Sequence, residues 1–502
     1  MTRLLPSTRA ESSGFTETSL HADVMRFLGA LEATGDPRLQ LSDFGESPEG
    51  RTLPLVVLSS EGARTPAQVR ALDRPVMLVI NGIHAGEVEG KEASMAWMRD
   101  LLRQDHGLLE RLTLVVVPLF NPDGNDRIDP ENRKLDLSKL SGHIGPIGGV
   151  GTRVNAAGIN LNRDYLRHDA AEMRALSRRV YQAFNPHLTV DCHATNGSIH
   201  RFDLTYDTPH TVASGRPEPI AYARRTLLPE VTRRIAQKHG RDYFFYGNFV
   251  RDEGGDGPGW MTYTHHPRFG SNYRGLTGRM DILSEVYSYL PYPERVSATR
   301  AFLEEIAGFV AERGPEIKAL VDACDTPPER IAVRYRLEAE DAPVTILTRD
   351  PYTLDGAPVS TTVPHYARFV GAEIVERPWA YVVPEPLAPW LEGHGLRVDR
   401  LGRAQTVACE QATITRVAPD PSRSILESSL GERIVEAAYE RVTLPLPEGA
   451  ALVRADQPMG AVAVYLCEAA SDDGAVACGR LPEGAPGDRF PILRVRESFK
   501  LE

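Results

Sequence analysis

Residues 74–92 constrain the fold of this chain more than any other segment. They begin with an apolar run over residues 76–80, which predicts a buried strand that ends at Asn81-Gly82. His84 and Glu87 follow three residues apart, and helix-forming residues come directly after them. Open α/β sheets place ligand-binding side chains where a strand passes through a turn into a helix. The segment therefore predicts an α/β sheet with His84 and Glu87 as a metal-binding pair.

Other short apolar runs alternate with helical patterns over the first 325 residues. Fully apolar runs of this length indicate strands that are buried on both faces, as in a mostly parallel mixed sheet flanked by helices. The predicted strands are residues 53–58, 76–80, 112–119, 188–192 and 280–284, and the predicted helices are residues 21–34, 88–104, 170–184, 220–239 and 294–312.

The composition changes near residues 325–328, where Asp-Thr-Pro-Pro is followed by short β-rich segments between Pro, Gly and Asp turns. A chain of 502 residues is also too long for one ordinary hydrophobic core. We therefore predict a flexible lead-in over residues 1–20, a large α/β domain over residues 21–325 and a smaller β-rich accessory domain over residues 326–502.

The charge and composition exclude several classes of partner. A formal net charge of −11 argues against nucleic acid, whose binding needs a basic face. The sequence has no apolar run of about 18 residues, so we expect no membrane span. The N-terminus lacks the apolar core of a signal peptide, so a cytoplasmic location is expected, although a chain that lacked its leader would also be compatible with export. The five scattered cysteines include no CxxC, which predicts neither a disulfide framework nor a thiolate zinc site.

His193 completes the proposed metal site. A catalytic zinc ion uses three protein ligands drawn from His and Glu and keeps one position open for water. His193 directly follows the predicted buried strand over residues 188–192, where such a ligand belongs. The alternative interpretation is that His84 and His193 are exposed loop residues.

Three further groups have side chains that suit hydrolysis of an amide bond. Asn162 and Arg163 are adjacent, and a guanidinium with a neighbouring amide suits recognition of a free carboxylate. Arg133 and Lys134 are candidates for polarising a carbonyl group. Glu285 follows an apolar strand and is a candidate general base. Taken singly, these residues are equally typical of surface loops and salt bridges.

Together the motifs resemble the M14 zinc metallocarboxypeptidases over about residues 20–315. The motifs that follow the order of that family are His84-Ala-Gly-Glu87, Asn121-Pro-Asp-Gly124, Asn160-Leu-Asn162-Arg163, Asp191-Cys-His193 and Glu285. The resemblance implies a carboxypeptidase-like α/β catalytic domain with one zinc ion held by His84, Glu87 and His193. It also implies a substrate that is a peptide or an amino acid conjugate with a free C-terminal carboxylate, whose terminal amide bond is hydrolysed by a zinc-activated water.

The resemblance also implies roles for single residues. Glu285 matches the general base of the family, and Arg133 matches the arginine that stabilises the oxyanion, with Arg127 and Arg153 as alternatives. Tyr263 is the first candidate for the mobile tyrosine that closes over the substrate, and Tyr273 is the second.

Asn162 and Arg163 match the residues that bind the terminal carboxylate. The family usually has an aspartate two positions before that asparagine, where it orients the first zinc histidine, and this chain has Asn160 instead. Asp164 and Asp191 are candidates to compensate for the missing charge.

Two alternatives to a carboxypeptidase remain open. Aspartoacylase-like deacylases use a similar histidine-glutamate pair and a distant histidine to cleave small N-acyl amino acids. A non-catalytic binding protein that keeps the fold is the third interpretation, and the retention of all three ligands and Glu285 disfavours it.

Overall fold

The structure is a computed structural model of the chain and describes residues 5–104, 107–251, 258–419 and 433–501. Its strands, in chain order, are β1 (Leu39–Glu46), β2 (Thr52–Leu58), β3 (Val76–Asn81), β4 (Thr113–Val117), β5 (Leu188–Thr195), β6 (Leu204–Asp207), β7 (Tyr243–Phe245), β8 (Asn248–Arg251), β9 (Pro258–Met261), β10 (Met280–Tyr287), β11 (Arg330–Ala339), β12 (Val344–Asp350), β13 (Ala357–Val363), β14 (His365–Glu376), β15 (Ala380–Val383), β16 (Val398–Arg400), β17 (Gln405–Pro419), β18 (Arg433–Leu446), β19 (Ala451–Arg454) and β20 (Arg489–Val495).

The α-helices connect these strands and cover the sheets. In chain order they are α1 (Arg9–Ser12), α2 (His21–Glu32), α3 (Pro66–Ala71), α4 (Glu89–Arg103), α5 (Pro122–Asn125), α6 (Ala171–Leu176), α7 (Gln182–Phe184), α8 (Pro217–Tyr222), α9 (Leu228–His239), α10 (Gly270–Leu276), α11 (Tyr292–Glu312), α12 (Gly314–Asp322), α13 (Ala388–Gly393) and α14 (Gly460–Cys467).

An eight-stranded sheet in the order β1-β2-β4-β3-β5-β10-β6-β7 forms the centre of the molecule. The pairings β4-β3, β3-β5 and β5-β10 are parallel. The pairings β1-β2, β2-β4 and β10-β6 are antiparallel. Every residue of β3, β4 and β5 is buried, because helices cover both faces. The predicted mixed sheet flanked by helices is therefore confirmed.

Side chains of β3 show how the two faces are filled. Leu78 and Ile80 belong to the hydrophobic cluster on one face, and Met77 and Val79 belong to the cluster on the other. This alternation follows from the two-residue repeat of a strand.

Two strand ends differ from the sequence prediction. The strands predicted to stop at residues 192 and 284 continue to Thr195 and Tyr287, because β5 and β10 keep pairing through those residues. His193 and Glu285 therefore lie within strands rather than directly after them.

The predicted β-rich C-terminal region is also present. It contains a six-stranded sheet in the order β16-β19-β15-β20-β17-β18 and the hairpin β12-β13. Strand β14 pairs with β9 in a sheet that joins segments from both sides of residue 325. One hydrophobic cluster likewise contains Tyr273 from one side and Tyr465 from the other. The domain boundary at residue 325 stays a prediction.

The N-terminal segment lies against α4. Residues 1–4 of the predicted lead-in are outside the described residues, and the hydroxyl of Thr18 and the backbone N–H of Ser19 donate hydrogen bonds to the buried Glu92. All five cysteines are buried and free. No helix in the described parts of the chain is long and apolar enough to cross a membrane.

Candidate active site

The turn after β3 aims His84 and Glu87 at one point. Gly82 takes a positive φ of 67°, which favours glycine. The Asn81 side chain donates a hydrogen bond to the carbonyl of Val117 (3.0 Å), which holds the end of the strand. The Glu87 N–H donates to the carbonyl of His84 (2.9 Å) and closes a tight turn. The polar side chains are therefore fixed by the backbone before α4 begins.

Strands β5 and β10 bring His193 and Glu285 to the same place. They are register partners in the parallel pairing of the two strands, and β5 is also the neighbour of β3. Register partners lie side by side on one face of a sheet. The candidate ligands His84, Glu87 and His193 and the candidate base Glu285 therefore come from three adjacent strands at their carboxyl ends.

The donor atoms of the three candidate ligands converge. The Nδ1 atoms of His84 and His193 are 3.2 Å apart. The two carboxylate oxygens of Glu87 lie 3.2 Å from His84 Nδ1 and 2.9 Å from His193 Nδ1. All three side chains are buried. The pairing of two imidazole nitrogens with one carboxylate is the donor set of a catalytic zinc site.

The other ring nitrogens determine what this point can bind. His84 Nε2 lies 3.0 Å from Asn160 Oδ1, an oxygen that also accepts the N–H of Asn162. His193 Nε2 lies 3.1 Å from the carboxylate of Asp191. Because both partners are acceptors, each Nε2 suits the protonated position of its ring, which leaves each Nδ1 to face a metal ion. These two nitrogens and the Glu87 carboxylate lie close enough to share one metal ion, so the residues fit the metal that the sequence predicts.

Asn160 and Asp191 thus each orient one histidine. Asn160 lies behind His84, where the resemblance places an aspartate, and it supplies an acceptor without a charge. Asp164, the other candidate to compensate, instead accepts the backbone N–H groups of residues 169 and 170. Of the two histidines, only His193 therefore has a carboxylate behind it, whereas His84 has a neutral amide.

Burial and neighbouring charges set the pKa values in the site. Burial, with the nearby Arg153, lowers the pKa of His84 to about 3 and keeps its ring neutral. Burial opposes charge on His193 as well, but Asp191 and Glu87 outweigh it and raise its pKa well above the usual value. Burial raises the pKa of Glu285 to about 8, against the attraction of His193.

Two of the three candidate oxyanion arginines line the cavity. Arg133 donates a hydrogen bond to Glu87 (2.7 Å), and Arg153 lies 3.4 Å from the same oxygen. Arg127 points elsewhere and pairs with Glu49. A Cβ atom on Gly86 would lie 2.7 Å from Arg133 Cδ, so the glycine between the first two ligands lets this arginine approach. Arg133 and Arg153 therefore remain candidates, and the structure places Arg127 outside the cavity.

The predicted carboxylate clamp lies on another wall. Asn162 accepts the N–H of Gly270 (2.9 Å), and its amide nitrogen lies 3.4 Å from His193 Nε2. The guanidinium of Arg163 lies over the ring of Phe269, 3.7 Å from its centroid. Both clamp residues line the cavity, and Phe269 restricts the orientation of the guanidinium.

The structure separates the tyrosine candidates. Tyr263 lines the cavity, but its hydroxyl donates to the carbonyl of Thr208 (3.1 Å). Tyr273 is buried in the core, away from the cavity, with its hydroxyl 3.2 Å from His394. Tyr246, which the sequence analysis missed, also lines the cavity, and burial and the charge of Glu285 raise its pKa. The aromatic segment over residues 243–249 was its only sequence signal.

One cavity of about 590 Å³ unites these groups. Its lining includes His84, Glu87, Arg133, Asn162, Arg163, Tyr263 and Glu285. His193 lies just beneath it, behind Glu87 and beside Asn162. A volume of this size suits a small ligand or the end of a peptide.

Comparison with known proteins agrees with this geometry. Residues 24–203, which contain the three candidate metal ligands and the candidate clamp, match the family described as zinc carboxypeptidase. The predicted resemblance to the M14 zinc carboxypeptidases is therefore confirmed over these residues. The protein is a hydrolytic metallopeptidase, as the sequence predicted. The positions of Glu285 and Tyr263 lie beyond the matched residues.

Relatives in other organisms match this chain over most of its length. "Carboxypeptidase 2" of Trichophyton tonsurans is 21% identical over 491 residues, which covers 90% of this chain and 82% of that protein. "Carboxypeptidase 2" of Trichophyton equinum is 21% identical over 488 residues, with the same coverage. Among solved structures, the metallo-carboxypeptidase from Burkholderia cenocepacia is 17% identical with a TM-score of 0.41, covering 58% of this chain and 69% of that one.

Proposed function

We propose that this protein is a metallocarboxypeptidase that hydrolyses the C-terminal peptide bond of substrates with a free terminal carboxylate. The observation that carries the proposal is the shared cavity, which combines a His₂Glu donor set, a separate glutamate and an Asn-Arg pair. His84, Glu87 and His193 would hold one zinc ion. When bound, zinc supplies a Lewis acid that polarises a carbonyl group and makes water more acidic.

Glu285 is the proposed general base. It is the register partner of His193, and it lines the cavity without being one of the three converging ligands. From this position its ionised carboxylate would accept a proton from the attacking water and then donate it to the leaving amine.

The arginines divide into two groups by position. Arg133 and Arg153 lie within 3.4 Å of Glu87, where a positive charge stabilises the oxyanion that develops on the scissile carbonyl. Arg163 stacks on Phe269 and faces the cavity beside Asn162, where it binds the terminal carboxylate.

The free carboxylate is the feature to test. An N-blocked dipeptide and its C-terminal amide should differ by about 10- to 100-fold in kcat/KM, because a hydrogen bond to a charged group contributes roughly 1.5–3 kcal/mol. Arg163→Gln should remove this preference. The control is Arg127→Gln, since Arg127 lies outside the cavity and pairs with Glu49.

The outcomes separate the proposal from its alternatives. Equal rates on the acid and the amide would contradict the role of Arg163. Faster hydrolysis of N-acetylphenylalanine than of the blocked dipeptide would favour a deacylase. Stoichiometric zinc with chelator-sensitive turnover would exclude a non-catalytic binding protein.

A further inference from the structure

Residues 263–270, here named the wall segment, separate the active-site cavity from the C-terminal region. On the cavity side, Phe269 packs on Arg163 and the N–H of Gly270 donates to Asn162. The carbonyl of Arg268 accepts the N–H of Tyr165, three residues after Asn162. The wall segment is therefore attached directly to the proposed carboxylate clamp.

On its other side the wall segment meets two consecutive acids, Asp472 and Asp473. The Arg268 N–H donates to Asp473 Oδ2 (2.8 Å), and its guanidinium lies 2.6 Å from Asp473 Oδ1. His265 Nε2 lies 2.8 Å from Asp472 Oδ2. None of these four residues is more than 3% exposed. Buried ionic contacts of this kind fix orientation, because breaking one by removing a partner is strongly destabilising.

The two acids are themselves firmly held. The hydroxyl of Tyr465, from the wholly buried helix α14, donates to Asp472 Oδ1 (2.6 Å). The N–H of Asp472 donates to the carbonyl of Val333 in β11 (3.1 Å). Tyr465 and Val333 belong to the same hydrophobic cluster as Tyr273 of the α/β region. The acids therefore act as fixed points of the core against which the wall segment is placed.

We propose that Asp472 and Asp473 are positioning residues of the active site. They hold the wall segment against Asn162 and Arg163 and thereby set the geometry in which the carboxylate end of the substrate is bound. This inference rests on the proposed function. It gives the C-terminal region a part in substrate binding, although none of its residues lines the described cavity.

Asp473→Asn tests the inference, with Glu468→Gln as the matched control. Glu468 is another buried acid of the same region, and it bonds to Arg494 and to the hydroxyl of Tyr381 (2.6 Å) away from the wall segment. Both variants are measured for amide hydrogen exchange over residues 263–270, for kcat and KM on the blocked dipeptide acid, and for zinc content. Asp472→Asn replaces Asp473→Asn if the latter does not fold.

The expected result is faster exchange in the wall segment and a rise in KM of about tenfold, with kcat within about threefold, because a displaced clamp weakens binding more than chemistry. Zinc should stay at one ion per chain, and Glu468→Gln should change neither exchange in the wall segment nor KM.

Three results would overturn the inference. The first is unchanged exchange and KM in Asp473→Asn, and the second is faster exchange with an unchanged KM. The third is a wild-type protein that binds two zinc ions per chain and an Asp472→Asn variant that binds only one. His265, His266 and Asp472 lie close enough to share a metal ion. If the wild type hydrolyses no free-acid peptide, the proposed function fails, and the exchange comparison still tests whether the acids hold the wall segment.

Discussion

At the scale of single residues, Glu285 is the proposed carrier of the proton transfers, and this role can be tested separately from metal binding. Its carboxylate is not among the converging ligand atoms, so Glu285→Gln should leave zinc content unchanged. We expect kcat to fall by about 10²–10⁴-fold, the usual contribution of general acid–base catalysis. The measurement is kcat together with zinc content of the purified variant. Full activity would show that another group takes the proton.

Asn160 offers a second residue-scale prediction. It accepts the Nε2 proton of His84 at 3.0 Å but brings no negative charge. Asn160→Asp should add that charge and slow the release of zinc to a chelator by about tenfold, since partners behind a ligand change metal affinity by roughly 10- to 100-fold. Asn160→Ala should accelerate release. If Asn160→Asp and the wild type lose zinc at the same rate, the charge behind His84 does not control affinity.

At the scale of elements, the start of α4 is held by close packing on β5. A Cβ atom on Gly90 would lie 2.5 Å from Cys192 Cβ and 2.7 Å from the Asn81 side chain, both in the buried core. Gly90→Ala should therefore lower the free energy of unfolding by about 1–3 kcal/mol, as overpacking does. Because α4 follows Glu87, the variant should also bind zinc less tightly.

A second helix glycine supplies the control for this prediction. Gly308 in α11 has no atom within 4 Å of its would-be Cβ. Gly308→Ala should raise the free energy of unfolding by roughly 0.5–1 kcal/mol through helix propensity alone. Urea denaturation measures both variants. Equal effects of the two substitutions would mean that the contact between α4 and β5 adapts freely.

The elements that the sequence predicts best are those whose signal is local. The apolar runs of β3, β4 and β5 depend on residues adjacent in the chain, and so does the turn that carries the candidate ligands His84 and Glu87. These features were therefore predictable from the sequence. The extension of β5 past His193 depends on pairing with β10, which no local pattern records. Tyr246 was missed because the path that brings it beside Glu285 is set by packing across the sheet.

At the scale of the whole molecule, the contact between the C-terminal region and the wall of the active site depends on long-range packing. The sequence therefore did not predict it. The β-rich composition after residue 325 was visible, but the contacts of Asp472 and Asp473 with the wall segment join positions about 200 residues apart. Two adjacent acidic residues in a loop do not indicate which distant residues they contact. Family motifs did not help, because the residues that match the family end at position 203.

The shared hydrophobic cluster and the β9-β14 pairing predict that the chain unfolds as one cooperative unit. The proposed zinc site lies at the carboxyl ends of β3 and β5, so zinc that binds only the folded state should raise the midpoint of the entire transition. Calorimetry of the zinc-loaded and chelator-treated protein should each give a single peak, with the loaded peak at higher temperature. Hydrogen exchange in β17 and β18, which contribute no residue to the lining of the cavity, should slow in parallel. Two peaks, of which only one shifts with zinc, would instead show that the segment after residue 325 is an independent domain that merely rests against the catalytic part.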